Sequence, residues 1–365
     1  MEFLAGGRAE VRITHADVGK RVSVRRLTGA RAGEPAFTDA VGILTSWNNG
    51  VLSITRRSGE SVRIEESSLV AAKVVPAAPA RRKVPAATVR ELQRVAARGW
   101  PAIETERLGE WTLRAAIQEV PREGDPSGRN LGERPGGAVA GRRVGFTRRA
   151  NSVLPLGDPG VPLDEALARA TRWYADRGLP TLVTVATGRA DTDERLAAEL
   201  AARGWPDEAH TSVRIAALAP LADTEADTSG VCLSRQPDAD WLTLYNRAGT
   251  PTAEARAVLT GGPSVWFARV PAPDGGTAAI GRLVVDGRWA GFAAVETAPG
   301  QRRRGLATLV MAALAERALK EGASAAYLQV ETDNAGALAL YDGLGFVEHH
   351  GYHYRRGPAG GAAGS

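Results

Sequence analysis

The chain has 365 residues, of which 44% are hydrophobic and 24% are charged, and its net charge is +5. This length exceeds that of most single domains, so two or three hydrophobic cores are expected. No stretch approaches the roughly 20 apolar residues that a transmembrane helix requires, and residues 1–8 do not resemble a secretory signal. The composition therefore argues against a membrane or secreted protein and predicts a cytoplasmic location.

Cysteine and histidine usage gives little support for metal chemistry. Cys232 is the single cysteine, which excludes an intramolecular disulfide, and the five histidines show no zinc-type spacing. We therefore expect no bound metal, and we interpret Cys232 as a small buried apolar residue. The first ninety residues carry fifteen Lys/Arg against eight Asp/Glu, so an anionic partner such as nucleic acid remains an alternative for this end of the chain.

Short alternating runs fill residues 22–75, and they predict a small all-β domain. Asn49-Gly50 separates two of these runs, and Asn-Gly between alternating segments is a strong hairpin signal. Several short strands at this spacing are typical of an SH3-like barrel. We assign residues 1–76 to this barrel and interpret it as a binding or docking module, because its composition offers no catalytic cluster.

Residues 77–85 are rich in proline, alanine and basic residues, which favours an extended linker. Beyond this linker, apolar residues at helical spacing predict a helix that ends near Gly99. The section 86–220 then alternates strands and helices, as expected for α/β packing. The predicted segments are strands at Trp111–Gln118, Val144–Arg149 and Thr181–Ala186, helices at Leu163–Arg177 and Asp193–Arg203, and a mobile loop at Pro121–Gly141.

The section 225–357 shows the same alternation of strands and helices more clearly. Asp286-Gly287 joins two of its strands in a second predicted hairpin. Residues 358–365 have low complexity and are predicted to be disordered. The predicted strands are 231–235, Val265–Val270, Ala279–Val285, Trp289–Thr297, Ala325–Glu331 and His350–Arg356, and the predicted helices are Ala239–Arg247, Leu306–Gly322 and Ala335–Leu344.

The two later sections look like copies of one unit. A strand, a helix, a glycine and an aromatic residue follow one another as TLVTVAT and LAAELAARGW in the first copy, and as AYLQVET and ALALYDGLGF in the second. The turn before the helix differs between them. The second copy has the basic sequence QRRRG, whereas the first has LGDPGVP at Leu156–Pro162, so an anion is expected in the second copy.

The segment Gln301–Thr308 lies between a predicted strand and a predicted helix. Backbone N–H groups at a helix N-terminus, together with the helix dipole, favour a bound anion. Gly305 lets the backbone approach a ligand because it has no Cβ, and Ala307 keeps the next turn small. A solvated basic loop before an ordinary amphipathic helix is the alternative interpretation of the three arginines, Arg302, Arg303 and Arg304.

The spacing Arg302-x-x-Gly305-x-Ala307 resembles the cofactor motif of the GNAT superfamily of N-acetyltransferases, Gln/Arg-x-x-Gly-x-Gly/Ala. The segment LQVETDNAGALALYDGLGF resembles the second motif of that family. The resemblance implies an α/β (α+β) GNAT fold in two tandem halves, a degenerate one at 86–220 and a catalytic one at 225–357, after the SH3-like barrel. It also implies acetyl-CoA as co-substrate, with its pyrophosphate held by Gln301, Arg302, Arg303, Arg304, Gly305, Leu306, Ala307 and Thr308.

The same resemblance assigns roles around the thioester. The backbone of Val295, Glu296 and Thr297 would hydrogen-bond the pantetheine arm, in a notch where this strand splays from Ala325–Glu331. Asn334 would contact the same arm, although an Asn before a helix is also an ordinary N-cap. Tyr341 matches the family tyrosine that protonates the departing thiolate, and a phenol and a thiol have similar pKa values. A purely structural role in the core is the alternative for this tyrosine.

The general base is less clearly indicated. A lysine-type amine has a pKa near 10.4, so a carboxylate or an ordered water must help to remove its proton. Glu296 and Glu331 are candidates because they lie on the two strands that flank the notch, and either could instead be an exposed strand charge. His349, His350 and His353 could line the acceptor site, but we interpret them as edge-strand residues.

The whole chain resembles actinobacterial GNAT proteins in which an SH3-like module precedes two GNAT-type halves, some of them described as histone or protein-lysine acetyltransferase-like. We therefore expect direct acetyl transfer from acetyl-CoA to a primary amine, preferably in a basic protein or peptide. A small-molecule amine is one alternative. A second alternative, from another class, is an adaptor that senses acyl-CoA or binds nucleic acid without turnover.

Overall fold

The computed structural model describes residues 11–27, 37–56, 60–75, 84–120, 142–223, 227–245, 252–273 and 275–358. These residues fall into two compact units, one comprising residues 1–82 with 223–226 and the other comprising the remainder. The predicted linker, the predicted loop at Pro121–Gly141 and the predicted tail lie mainly outside the described residues. Among the residues that are described, no helix is long and apolar enough to cross a membrane.

The N-terminal unit is a small antiparallel sheet. Its described strands have the order β4-β3-β2-β1-β5, and the hairpin predicted at Asn49-Gly50 is present, with φ of +51° and +71° at these two residues. The small all-β domain is thus confirmed. Within the described ranges β4 and β5 are the sheet edges and no strand pairing closes a barrel. The strands are β1 (Arg21–Leu27), β2 (Phe37–Asn48), β3 (Val51–Thr55), β4 (Ser61–Glu65) and β5 (Leu69–Val74).

The second unit contains the other elements. Its helices are α1 (Val89–Gly99), α2 (Leu163–Ala175), α3 (Glu194–Ala202), α4 (Ala219–Ala222), α5 (Ala239–Leu244), α6 (Ala253–Thr260), α7 (Leu306–Lys320) and α8 (Ala335–Gly343). Its strands are β6 (Glu104–Leu108), β7 (Trp111–Ala115), β8 (Ile117–Val120), β9 (Arg142–Gly145), β10 (Leu154–Pro155), β11 (Leu182–Thr187), β12 (Asp207–Ala217), β13 (Cys232–Ser234), β14 (Ser264–Pro271), β15 (Thr277–Asp286), β16 (Trp289–Thr297), β17 (Ala325–Glu331) and β18 (Val347–Arg356).

One sheet joins the two predicted copies of the α/β unit. In the described part of the chain its order is β11-β18-β12-β17-β16-β15-β14-β13. Strand β12 of the first copy lies between β17 and β18 of the second copy, and β18 in turn pairs with β11 of the first. The two copies therefore share their central strands, and neither completes this sheet from its own residues.

Helix α1 covers one face of the shared strands. The hydroxyl of Thr88 caps the helix by accepting a hydrogen bond from the Glu91 N–H at 3.1 Å, a standard N-cap arrangement. The apolar face of the helix, including Leu92 and Val95, packs with Val213 of β12 and Tyr327 of β17. As a result, the C-terminal end of α1, which begins in the first copy, is placed over strands of the second.

Helix α7 packs closely on strands β14, β15 and β16. Gly281 on β15 makes this approach possible, since a Cβ there would lie 2.5 Å from Val310 Cγ1. The residues Val310, Ala313 and Leu314 are buried, and their spacing places them on one face of the helix. This packing fixes the N-terminus of α7 directly after strand β16.

Several sequence-based expectations differ from the structure. Strand β12, strand β6 and helix α6 were not predicted, and the strand expected at Val144–Arg149 is instead β9, which ends at Gly145. Cys232 is exposed on the sheet-edge strand β13 and is not a buried apolar residue. The three histidines of β18 were wrongly placed at an edge, because β18 lies inside the sheet and buries all of them.

Candidate active site

Strands β16 and β17 separate partway along their length. Their parallel pairing runs from Trp289 opposite Ala325 to Phe292 opposite Leu328, and both strands then continue without pairing to each other. The opening between the two unpaired ends is called the notch below. The predicted splay is present, and it leaves backbone groups of β16 available on the side that faces β17.

A β-bulge reshapes β16 where the notch begins. Ala293 pairs with Arg282 and Glu296 pairs with Ile280, so Ala294 and Val295 lie opposite the single residue Gly281. Ala294 has φ of +50°, and a bulge of this kind redirects the strand and the groups that follow it. Sequence reasoning missed the bulge; the glycine on the facing strand is the one local signal that could have indicated it.

A cavity of about 110 Å³ fills the notch. Five of the residues that sequence reasoning selected line it, together with others that it missed. The selected residues are Val295, Glu296, Glu331, Asn334 and Tyr341. The missed residues include the large or charged side chains of Trp100, Arg149, Tyr245 and Arg282. Trp100 and Arg149 belong to the first copy, so the notch combines side chains from both.

Tyr341 and Asn334 stand on the β17 side of the notch. Tyr341 is 9% exposed and contacts Phe346 edge to face, with ring centroids 5.8 Å apart, so this side chain belongs to the core and also lines the cavity. Asn334 is the N-cap of α8, and its Oδ1 accepts a hydrogen bond from the Ala337 N–H at 3.1 Å. The N-cap interpretation is therefore confirmed. The bond uses the side-chain oxygen of Asn334, so a contact between its amide nitrogen and a ligand is compatible with the capping role.

The basic turn connects β16 to α7. A short 3-10 turn at Pro299–Gln301 is followed by Arg303 and Gly305, whose φ values are +62° and +76°. Gly305 is the N-cap of α7, and in the described structure no side chain caps this helix end. A Cβ at Gly305 would meet no atom within 4 Å. Because no side chain caps α7, its first-turn N–H groups are available for a phosphate group.

The side chains of the turn partly hold one another. Arg304 donates to the side-chain oxygen of Gln301, and the Gln301 N–H donates to the Ala298 carbonyl oxygen at 2.8 Å. Arg302 makes a long contact of 3.5 Å with the Thr297 carbonyl oxygen. The predicted residues Leu306, Ala307 and Thr308 form the first turn of α7. All eight residues selected for the turn therefore lie together between the end of β16 and the first turn of α7, and none of them lines the cavity of the notch.

A buried cation lies at the floor of the notch. Arg282 is 1% exposed, and burial lowers the pKa of its guanidinium to about 10. The group donates to three carbonyl oxygens, those of Leu259 at 2.7 Å, Gly99 at 2.8 Å and Gly261 at 3.1 Å. It also lies 4.5 Å from the centre of the Trp100 ring. Arg282 thus ties the ends of α1 and α6 to β15.

A larger cavity, of about 830 Å³, opens beside the notch and is called the cleft below. Four residues line both cavities: Trp100, Arg149, Tyr245 and Glu331. Glu331 is the last residue of β17 and pairs with Thr211 of β12, whereas Glu296 lines the notch and not the cleft. A molecule in the cleft would therefore meet Glu331 before it could meet Glu296.

The histidines of β18 form a buried group away from both cavities. The Nδ1 atoms of His349 and His350 lie 2.8 Å apart, and His349 Nε2 is 3.0 Å from the Ala87 carbonyl oxygen. Burial lowers the pKa of His350 to about 4 and also lowers that of His353. Within the described ranges no group of three His, Cys, Asp or Glu side chains is placed to hold a metal ion.

Comparison with solved structures and curated sequences agrees with this geometry. The fold is similar to that of a GCN5-related N-acetyltransferase from Kribbella flavida, with a TM-score of 0.50 at 16% identity over 76% of this chain and 99% of that one. An uncharacterized N-acetyltransferase, YobR, from Bacillus subtilis (strain 168) is 24% identical over 73% of this chain and 98% of its own length. The fold and the relatives define an N-acetyltransferase of the GNAT type, a class that uses acetyl-CoA.

Within that class, the chain belongs to the family described as "Probable histone acetyltransferase Rv0428c C-terminal", which matches residues 138–355. Residues 16–73 match the description "Rv0428c N-terminal Sm-like domain". A protein of Mycobacterium tuberculosis (strain ATCC 25618 / H37Rv), "Probable histone acetyltransferase Rv0428c", is 29% identical over 92% of this chain and 94% of its own length. The resemblance predicted from the two sequence motifs and the small N-terminal domain is thereby confirmed.

Proposed function

We propose that the protein transfers the acetyl group of acetyl-CoA directly to a primary amine of a peptide or protein, with both substrates bound at once. One observation carries this proposal: the notch and the cleft are separate cavities that meet at Trp100, Arg149, Tyr245 and Glu331. Two substrates can therefore approach a common point from different sides. Holding both substrates at this point makes the bimolecular reaction effectively unimolecular.

The donor side of the proposal rests on the notch and the turn. The N–H groups at the start of α7 and the arginines of Gln301–Thr308 bind the pyrophosphate. The backbone of Val295–Thr297 bonds the pantetheine arm in the manner of an added strand, and Asn334 contacts the same arm. The bulge at Ala294 supports this assignment because it directs the β16 backbone into the opening.

Glu331 is our candidate for the general base. An alkyl ammonium must lose a proton before its nitrogen can attack a carbonyl carbon, and Glu331 borders both the cleft and the notch. Glu296 borders the notch alone, so its carboxylate has less access to an arriving amine. Glu331 accepts one proton from the ammonium, directly or through one water, and the neutral nitrogen attacks the thioester carbonyl carbon. As the C–N bond forms and the C–S bond breaks, the nitrogen gives its second proton to solvent and the thiolate departs.

Tyr341 completes the proposed reaction as the proton donor to the leaving thiolate. Its ring is held by the core contact with Phe346, while the residue borders the notch. A phenol with an ordinary pKa near 10 can donate to a thiolate whose conjugate acid has a pKa near 8.5. A rigid position in the core is favourable for this role because it keeps the donor aimed at one place.

A macromolecular amine is favoured over a metabolite for two reasons. The related Mycobacterium tuberculosis protein is named as a probable histone acetyltransferase, and a separate small β domain precedes the catalytic unit. We propose that this N-terminal domain, residues 1–76, recruits the acceptor. The section 86–220 acts as a degenerate GNAT-like half that shapes the active site of residues 225–357.

Initial-rate kinetics on the full chain tests the proposal. Thiol release from acetyl-CoA would be measured in the Cys232→Ser background, because Cys232 is exposed and its thiol would add to the signal. Acetylated product would be identified by mass. Double-reciprocal lines that intersect are expected for a ternary complex. Parallel lines would contradict direct transfer. Tight binding of acetyl-CoA with no thiol release from any peptide or amine would instead favour the adaptor alternative.

A further inference from the structure

We propose that the preferred acceptor amine lies next to an anionic group, a carboxylate or a phosphate, that is bound by arginines of the cleft. This inference rests on the proposed function and narrows its substrate to amines in an acidic setting. The anion would be an acidic side chain near the acceptor lysine, or the carboxylate at the end of a peptide. The sequence alone favours a basic protein or peptide as the acceptor, so this inference predicts a different kind of substrate.

The charge of the cleft carries this inference. Among the described residues that line it, the arginines outnumber the carboxylates by five to one, and the carboxylate is Glu331. Arg148 and Arg356 share a single further carboxylate, that of Glu208, at 2.9 Å and 2.6 Å. The five arginines are Arg142, Arg143, Arg148, Arg149 and Arg356.

The remaining arginines are poorly neutralised. Arg143 lies 3.7 Å from Glu119, but both side chains are more than half exposed, so solvent screens this pair. No carboxylate of the described residues forms an ion pair with Arg142 or Arg149. Even when Glu119, Glu208 and Glu331 are all counted, five positive charges face three negative ones. A basic peptide would therefore meet net repulsion in the cleft.

Arg149 is the residue best placed to select the acceptor. It lies at the junction of the cleft and the notch, and its guanidinium carbon is 5.8 Å from the centre of the Trp100 ring. A guanidinium presents donors in a planar fork that suits a carboxylate or phosphate. An anion held here would place the neighbouring amine beside Glu331.

Three matched peptides test the inference. Each would contain one lysine, flanked by Glu in the first peptide, Gln in the second and Lys in the third. At low ionic strength we expect kcat/KM to be about tenfold higher with Glu than with Gln, as for one charge-assisted contact. The Lys peptide should be slower than the Gln peptide. Raising the salt concentration should shrink both differences.

Variants separate the arginines of the cleft from general charge effects. Arg142→Gln should reduce the Glu-to-Gln preference, mainly through KM, and should affect the Gln peptide little. Arg149→Gln should also reduce the preference, but because Arg149 borders the notch as well as the cleft it should slow the Gln peptide too. Arg142 is exposed on β9, so its variant is expected to fold normally. Arg172→Gln is the matched control, because Arg172 is an exposed arginine on α2 that lines neither cavity. The Arg172→Gln variant should show the same Glu-to-Gln preference as the parent protein.

The outcomes distinguish this inference from the proposed function. Equal turnover of the three peptides, or faster turnover of the Lys peptide, would overturn the inference and leave amine acetylation intact. If peptides are inert and small amines react, lysine is compared with 1,5-diaminopentane, which lacks the carboxylate. A faster reaction of lysine supports the inference, and an equal or slower one rejects it. Absence of acetylation on every amine would reject the proposed function and this inference together.

Discussion

The guanidinium of Arg282 donates a hydrogen bond to the carbonyl oxygen of Gly99 at 2.8 Å. This bond joins β15 of the second copy to the last residue of α1 in the first copy, directly below Trp100. The same guanidinium also holds two carbonyl groups at the end of α6. One buried side chain thus fixes the position of the Trp100 segment at the floor of the notch.

Removing this side chain should destabilise the second unit. In Arg282→Leu three buried carbonyl groups lose their donor, so we expect the free energy of unfolding to fall by about 3 kcal/mol. Denaturant titration of the full chain would measure the change. Arg98→Leu is the control, because Arg98 joins α1 to Asp286 through an exposed ion pair at 2.6 Å that should contribute less than about 1 kcal/mol. Equal losses in the two variants would contradict this account.

Substitution at the basic turn should separate cofactor binding from folding. Gly305→Glu places a side chain and a negative charge where the pyrophosphate is proposed to lie, and we expect acetyl-CoA binding to be lost in calorimetry. Gly322→Glu is the matched control. Gly322 follows the C-terminal end of α7, has φ of +89°, and has no atom within 4 Å of its Cβ position. Both changes carry a left-handed strain of about 1–2 kcal/mol. Only Gly305→Glu should abolish binding.

The two glutamates and the tyrosine should differ in their effects on turnover. We expect Glu331→Gln to lower kcat about 100-fold, as for loss of a general base, and Glu296→Gln to lower it much less. Tyr341→Phe should slow thiol release and leave the Kd for acetyl-CoA almost unchanged. Steady-state kinetics with calorimetry would check all three variants. A larger loss for Glu296→Gln than for Glu331→Gln would reverse our assignment.

His350 should make the stability of the protein depend on pH. Burial lowers its pKa to about 4 from an ordinary value of 6.5, so the unfolded chain binds a proton that the folded protein excludes. The stability that depends on neutral His350 is fully present above pH 6.5 and is lost as the pH falls toward 4, by about 3 kcal/mol. Unfolding of His350→Gln should show a flatter dependence over this window. An unchanged pH dependence in His350→Gln would contradict this account.

Cys232 should react readily in the native state. It is the single cysteine of the chain and is exposed on β13, so a thiol reagent should modify one equivalent of protein without denaturant. The rate should rise little when denaturant is added. Protection of this thiol until the protein unfolds would contradict the exposed position and favour the buried one that composition suggested.

Local sequence patterns were sufficient for much of the second unit. The strand at Trp289–Thr297 and the strand at Ala325–Glu331 have the predicted bounds, and α7 begins at the predicted Leu306. These segments carry strong apolar runs with turn residues at their ends, so local physics and final packing agree. The residues chosen around the notch come from such segments, which explains why they lie together.

The contribution of the first copy could not be predicted in the same way. Strand β12 pairs with β17 and β18, which are distant from it in the sequence. Pairing between distant segments leaves no trace in local periodicity. Trp100 follows an ordinary helix end, and Arg149 lies within a short 3-10 turn, Arg148–Ala150, so neither pattern indicates a cavity. The location of the β18 histidines was wrong for the same reason, because the edge or centre of a sheet depends on strand order and not on the strand itself.

The shared sheet has a consequence for the order in which the chain can fold during synthesis. Strand β11 pairs with β18 from Leu182 opposite Arg356 to Thr187 opposite Gly351, so one edge of β11 stays open until the segment near residue 350 leaves the ribosome. Such non-local pairing is slow, and open strand edges favour aggregation. The first copy must therefore wait for the second, and we expect nascent chains stalled before β18 to require chaperones while completed chains do not.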